Sequence, residues 1–281
     1  MKSLELHLVV SDNSIPAVDY IKQQSTLSKG LIKKIMSAGA VWLSRKNSTG
    51  RLRRATKALL KGDEVHLYYK QHIIDLIPQD CQLIADEGDY SVWNKPAGTY
   101  SQGTRYGDHC TVQRYAEKHL KPQRNAFIVH RLDKDANGII LLAHSKNAAT
   151  LLSSLFKNRN IQKTYKLLVE GHLQVDTLPY KINQAIDGKT SISIINTIRY
   201  QKETDQTKLE VSIETGRKHQ IRKHMAFLGH PIVGDPLYAS PESIIKNLNI
   251  KLQLSAWKLS FNSPFNNQPK TYQLKTLIIK T

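Results

Sequence analysis

His130-Arg131-Leu132-Asp133-Lys134-Asp135-Ala136-Asn137-Gly138 runs straight into Ile139-Ile140-Leu141-Leu142-Ala143. Five consecutive apolar residues, entered through a glycine and left through His144-Ser145, read as a strand buried on both faces. The polar residues ahead of it include Arg131, Asp133, Lys134 and Asp135. A charged cluster abutting a buried strand places an Asp at the margin of the core, where neighbours set its geometry and protonation. The plainer reading is an Arg–Asp pair in a polar surface turn. The neighbouring sequence bears on the choice.

Beyond the strand, Ala148, Leu151, Leu152, Leu155 and Phe156 mark one face of a helix capped by Ser145. Upstream, residues 90–94 form a strand stopped by Lys95-Pro96-Ala97-Gly98. Downstream, residues 163–169 are a strand ended by Gly171, within Gln162-Lys163-Thr164-Tyr165-Lys166. Residues 208–213 alternate, Gly216-Arg217 breaks them, and Ile221, Met225 and Leu228 recur at helical spacing up to Gly229. No internal repeat or low-complexity tract interrupts this alternation. Residues 83–281 are expected to form one α+β domain.

The N-terminal residues read differently. Ser28 can cap a helix with Leu31, Ile35 and Ala38 on one face and Gly39 after it, followed by strands at 41–43 and 64–69. Residues 1–72 are taken as a small module and 73–82, with Pro78, as a linker. Between Lys29 and Lys61 lie ten basic residues and no Asp or Glu, among them Lys29, Lys33, Lys34, Arg45, Arg51, Arg53 and Arg54. The whole chain of 281 residues carries 41 Lys plus Arg against 23 Asp plus Glu, a formal charge of +18. A solvated face mixes both signs, so a window without acid points to a polyanionic partner. Release of counterions from a phosphate backbone would favour that contact.

Other chemistries find little support. Two cysteines, Cys81 and Cys110, make no disulfide framework or CxxC pair. His219 and His224 are five apart and fall on different helical faces, so no metal site is expected. Gly188-Lys189-Thr190 lacks the first glycine of a phosphate loop, since Asn183 stands in its place. GxGxxG, HExxH and GxSxG are missing. No apolar run approaches the roughly 20 residues of a membrane span. Glu5 and His7 interrupt the start, so no signal peptide is expected either, and a reducing cytoplasm fits.

Four segments, in order, resemble the RluA-type pseudouridine synthases. They are Lys95-Pro96-Ala97-Gly98, His130-Arg131-Leu132-Asp133, Lys163-Thr164-Tyr165, and Thr215-Gly216-Arg217-Lys218-His219-Gln220-Ile221-Arg222 with Gly229-His230-Pro231-Ile232-Val233-Gly234-Asp235. Each is weak alone; four in order over about two hundred residues are specific. The resemblance implies a mixed, mostly antiparallel sheet and isomerisation of uridine to pseudouridine in structured RNA. It makes Asp133 the nucleophile, attacking either the base or the anomeric carbon, and pairs Arg222 with it. Tyr165 would stack on uracil and assist removal of the carbon 5 proton. Arg131 would fill the stack vacated by the flipped nucleotide, with Lys95, Arg217 and Ile221 as further substrate contacts. Neither a metal nor an organic cofactor is implied, and the family's habit is a monomer.

Leu27-Ser28-Lys29-Gly30-Leu31-Ile32-Lys33-Lys34-Ile35 and Lys61-Gly62-Asp63-Glu64-Val65 resemble a small alpha-L RNA-binding domain. Ribosomal RNA is therefore favoured over transfer RNA. One departure stands out: Ala136-Asn137-Gly138 replaces the family's usual Thr-Ser-Gly, removing a hydroxyl behind Asp133. The residues leave room for a silent RNA-binding protein or a nucleoside hydrolase, and turnover separates all three.

Overall fold

Antiparallel pairing dominates the fold, seen in a computed structural model that describes residues 3–12 and 14–275. The sequence readings that use Met1 and Lys2, and the end of the second domain at Thr281, lie outside the described residues. The chain divides into two units. One comprises the residues up to Gln79 with Gln102–His119, the other Asp80–Ser101 with the chain from Leu120 on.

The first unit contains β1 (Ser3–Val9), β2 (Ile15–Pro16), α1 (Ala17–Gln23), α2 (Lys29–Ser37), β3 (Val41–Arg45), β4 (Ser48–Arg51), β5 (Ala58–Leu59), β6 (Glu64–Lys70), α3 (Gln71–Ile74) and α4 (Val112–His119). Its main sheet has the order β1-β6-β3-β4. Ser28 caps α2 by accepting the Leu31 amide at 3.2 Å. The helix buries Ile32, Ile35 and Met36, while Leu31 packs only partly. Alternation along β6 turns Val65, Leu67 and Tyr69 into the same core.

This division departs from the boundaries read in the sequence. Helix α3 runs across the expected boundary between module and linker, and a stretch of the expected second domain belongs to the first unit. Its anchor is Asp108, which takes Arg51 at 3.0 Å and also pairs with Arg53. The Asp108 amide donates to the Ala38 carbonyl at 2.9 Å, and the Trp42 indole N–H to the Arg105 carbonyl at 3.1 Å. Such long-range pairing leaves no periodic mark in a sequence.

The second unit holds β7 (Gln82–Asp86), β8 (Tyr90–Lys95), β9 (Phe127–Ile128), β10 (Asn137–Ala143), α5 (Lys146–Lys157), β11 (Ile161–Glu170), β12 (Tyr180–Asn183), β13 (Ile192–Gln201), β14 (Gln206–Ile213), α6 (Gln220–Phe227), α7 (Pro241–Lys246), β15 (Leu254–Asn262) and β16 (Pro269–Gln273). The sheet runs β12-β13-β14-β11-β15-β10-β8-β7, with β16 on β15 and β9 on β10. Strands β10 and β15 pair in parallel, and the other pairs are antiparallel. All seven residues of β10 are buried, as its unbroken apolar run requires. Ser145 caps α5 through the Ala148 amide at 3.0 Å. Ala148 and Leu152 pack with Ile139 and Leu141, while Ile221 and Met225 of α6 join a second cluster with Leu167 and Val211. No helix among the described residues is long and apolar enough to cross a membrane.

Candidate active site

Three neighbouring strands of the second unit bring the quoted segments together. Ala256 on β15 is the register partner of both Tyr165 on β11 and Gly138 on β10. A bulge between Thr164 and Tyr165 shifts the register there, the kind of irregularity that re-aims a side chain. Gly138 sits at φ +125°, and a Cβ on it would lie 2.4 Å from the Ala256 carbonyl oxygen. Only glycine allows this approach.

The loop carrying Asp133 is fixed by its neighbours. Lys95 Nζ lies within hydrogen-bond distance of the carbonyls of Ala136 (2.6 Å), Thr99 (2.9 Å), Pro96 (3.1 Å) and Lys134 (3.1 Å), which share its three N–H donors. Burial lowers the Lys95 pKa to about 8, and carbonyl acceptors favour the protonated form, so it remains charged at neutral pH. The Ser101 hydroxyl donates to the Leu132 carbonyl and accepts the Leu132 amide, at 2.7 and 3.0 Å. His130 stacks on Phe156, and its Nε2 accepts the Leu141 amide at 3.0 Å. Burial pushes the His130 pKa down to about 3, which keeps that acceptor unprotonated. Asn137 is buried and donates to Ser255 Oγ at 3.2 Å. At Ala136 the backbone carbonyl ties the loop to Lys95, so a side-chain hydroxyl is not needed for that bond.

Replacing Lys95 by Met strips buried carbonyls of their donor. The expected loss is about 3 kcal/mol, read as a lower urea midpoint. Unchanged stability would show the clamp to be dispensable.

The start of α6 forms the other wall. Gln220 accepts the Thr215 hydroxyl (2.7 Å) and the Arg217 amide (3.1 Å), and donates to the Ile192 carbonyl (2.9 Å) and Ser193 Oγ (3.1 Å). This staple holds the turn in which His219 takes φ +54°, a conformation His tolerates better than most residues. Arg222 is buried, and its Nε and Nη2 each donate to Asp235 at 2.7 Å. Its Nη1 lies 3.7 Å from Asp133 Oδ2, and His219 Nε2 lies 3.7 Å from Asp133 Oδ1. Burial, reinforced by Asp133, raises the Tyr165 pKa, so its phenol stays protonated near neutrality. Among the described residues no group of three or more His, Cys, Asp or Glu is placed to hold a metal ion.

Residues 89–227 match the family model described as RNA pseudouridylate synthase. A Pasteurella multocida protein named dual-specificity RNA pseudouridine synthase RluA is 34% identical over 205 residues, 66% of this chain and 89% of that protein. The chain belongs to the RluA-type RNA pseudouridine synthases. Its reaction is the isomerisation of uridine to pseudouridine in RNA. A Buchnera aphidicola protein named ribosomal large subunit pseudouridine synthase D is 27% identical over 259 residues, 85% of this chain and 81% of that protein. The solved structure of human RNA pseudouridylate synthase domain containing 1 shares the fold, with a TM-score of 0.59 at 21% identity over 72% of this chain and 86% of that one.

Asp133, Tyr165 and Arg222 of the synthase come together, and Arg222 pairs with Asp133 at 3.7 Å as read from the sequence, but it also binds Asp235 more closely. A guanidinium has a fork for one carboxylate and a further N–H to turn toward a second. Arg131 is exposed, and Arg217 donates through Nε to the Thr190 carbonyl at 3.1 Å. Lys95 and Ile221, read from sequence as substrate contacts, are 0% and 4% exposed. One is the loop clamp and the other packs in the core, so both shape the site from behind. Sequence reading assigned no role to His219 or Asp235, although both lie in the quoted segments, and passed over Tyr238. An Asp soon after a buried helical Arg was the available signal for Asp235. Tyr238 offered none.

Most of the basic residues of the first unit read as RNA contacts have acidic partners within it. Lys29 pairs with Asp19 and Lys34 with Asp75, each at 2.5 Å. Arg45 binds buried Asp63 through Nε (2.8 Å) and Nη2 (2.7 Å), and Asp108 takes Arg51 and Arg53. A window without acids in sequence is thus supplied with acids in space. Arg45, Arg51 and Arg53 hold the unit together. Of the seven expected RNA contacts, Lys33 and Arg54 make no ion pair among the described residues.

Proposed function

We propose that Asp133 is the nucleophile of the synthase, with Tyr165 against the uracil and Arg131 in the vacated stack. The contrast between two carboxylates carries this reading. Asp235 is wholly buried and accepts two bonds from Arg222, plus the amides of Leu237 (2.9 Å) and Tyr238 (3.2 Å). Its lone pairs are committed. Asp133 keeps 26% of its side chain exposed, and among the described residues no donor reaches it at hydrogen-bond distance. An ionised carboxylate free of donors can attack, and can then leave again. Tritium release from RNA labelled at carbon 5 of uridine, taken from cells lacking the protein, tests the assignment. Absence of release by the wild-type protein would overturn it.

Ribosomal RNA is the preferred target in this reading, and the first unit acts as an alpha-L type RNA anchor. Alignment with the ribosomal large subunit relative spans 85% of the chain, more than the residues from Asp80 onward can supply. The basic first unit is therefore shared, in part, with a protein of that name. Lys33→Glu combined with Arg54→Glu is expected to weaken RNA binding several-fold and to lower the salt slope of log Kd by roughly 2. A slope equal to wild type, from filter binding across a salt series, would sink the anchor reading.

A further inference from the structure

Both oxygens of Asp133 have a neighbour, and one of those neighbours titrates. Arg222 Nη1 and His219 Nε2 each stand off by 3.7 Å, beyond hydrogen-bond length. Arg222 is held in place by its two bonds to Asp235. His219 is held as well: its Nδ1 lies 2.9 Å from the Tyr238 hydroxyl, and the two rings meet edge to face at 5.7 Å. One ring nitrogen is therefore engaged, and the other faces the carboxylate.

We propose that His219, fixed by Tyr238, is a positioning residue that acts through Asp133. As a neutral imidazole it leaves the carboxylate able to attack; as an imidazolium it pairs with the carboxylate and withdraws it. The inference rests on Asp133 being the nucleophile. Its one chemical event is uptake of a solvent proton by the ring.

The charged and titratable groups around His219 are Asp133 from the loop before β10, Asp235 and Tyr238 from the loop after α6, and Lys218 and Arg222 from its own segment, with Tyr165 of β11 beyond Asp133. Burial lowers the His219 pKa. Asp133 and Asp235 oppose that, while Arg222 and Lys218 add to it, and the net direction is down. Protonation therefore sets in below the ordinary histidine value of about 6.5. Above that pH Asp133 is free, and below it the pair closes.

The test is the pH dependence of single-turnover rate and of KM between pH 5 and 8, on one uridine-containing RNA. Wild type would be run beside His219→Asn, Tyr238→Phe and Asp133→Asn. Asn tolerates positive φ and does not titrate. Wild type should lose rate on the acid side through one ionisation. His219→Asn should lose that limb, with a plateau several-fold lower and KM unchanged. Tyr238→Phe should move the limb to lower pH, because the imidazolium loses an acceptor for Nδ1–H and charge-assisted bonds are the stronger ones. A wild-type profile without an acid limb, or an unchanged limb in His219→Asn, overturns the inference. Should His219→Asn fail to fold, an unshifted limb in Tyr238→Phe overturns it. Turnover by Asp133→Asn would instead remove the nucleophile reading beneath it.

Discussion

Asp133→Asn is expected to release no measurable tritium from labelled RNA, a rate loss on the order of 10⁴-fold or more. The substitution keeps size and removes the charge. Little else should change, because Asp133 accepts no hydrogen bond among the described residues. Its loop is held by Lys95, Ser101 and His130 rather than by its own side chain. Affinity for the same RNA should therefore stay close to wild type. Full turnover by Asp133→Asn would pass the role to another group. Loss of both turnover and folding would show that the carboxylate supports the loop after all. Circular dichroism run beside the assay separates these results.

Asp235→Ala should produce the largest loss of stability, about 3–5 kcal/mol. It leaves the buried Arg222 guanidinium without its bidentate partner and strips the Leu237 and Tyr238 amides of their acceptor. A double replacement, Arg222→Met with Asp235→Leu, should be markedly more stable than Asp235→Ala, since the penalty lies in the unpaired charge. Both would be inactive on the present reading. Urea denaturation of the three proteins checks the order. If the double variant is no more stable than Asp235→Ala, the pair carries more than charge compensation.

Much of the local architecture was legible in the sequence. Caps at Ser28 and Ser145 and the buried run ending at Ala143 each depend on residues within a few positions, and each appears where read. Asp133, Tyr165 and Arg222 were legible through ordered motifs. What escaped depends on contacts far apart in the chain. Nothing near Lys95 announces that its acceptors lie at Lys134 and Ala136, about forty residues on. Nothing near Arg51 and Arg53 reveals Asp108. Charge counting thus did not foresee the ion pairs that tie Arg45, Arg51 and Arg53 into the first unit, and motif reading gave no sign that Lys95 is a buried loop clamp.

The return of Gln102–His119 to the first unit also sets a timetable. A polypeptide emerges from the ribosome N-terminus first, and domains usually fold as units in that order. Here the N-terminal portion, up to Gln79, leaves the exit tunnel with Arg51 and Arg53 lacking Asp108. The first unit can close only after residues 80–101, which belong to the second, have also emerged. Until then a nascent chain presents guanidinium groups unneutralised, beside the most abundant polyanion in its surroundings: the ribosome that is making it.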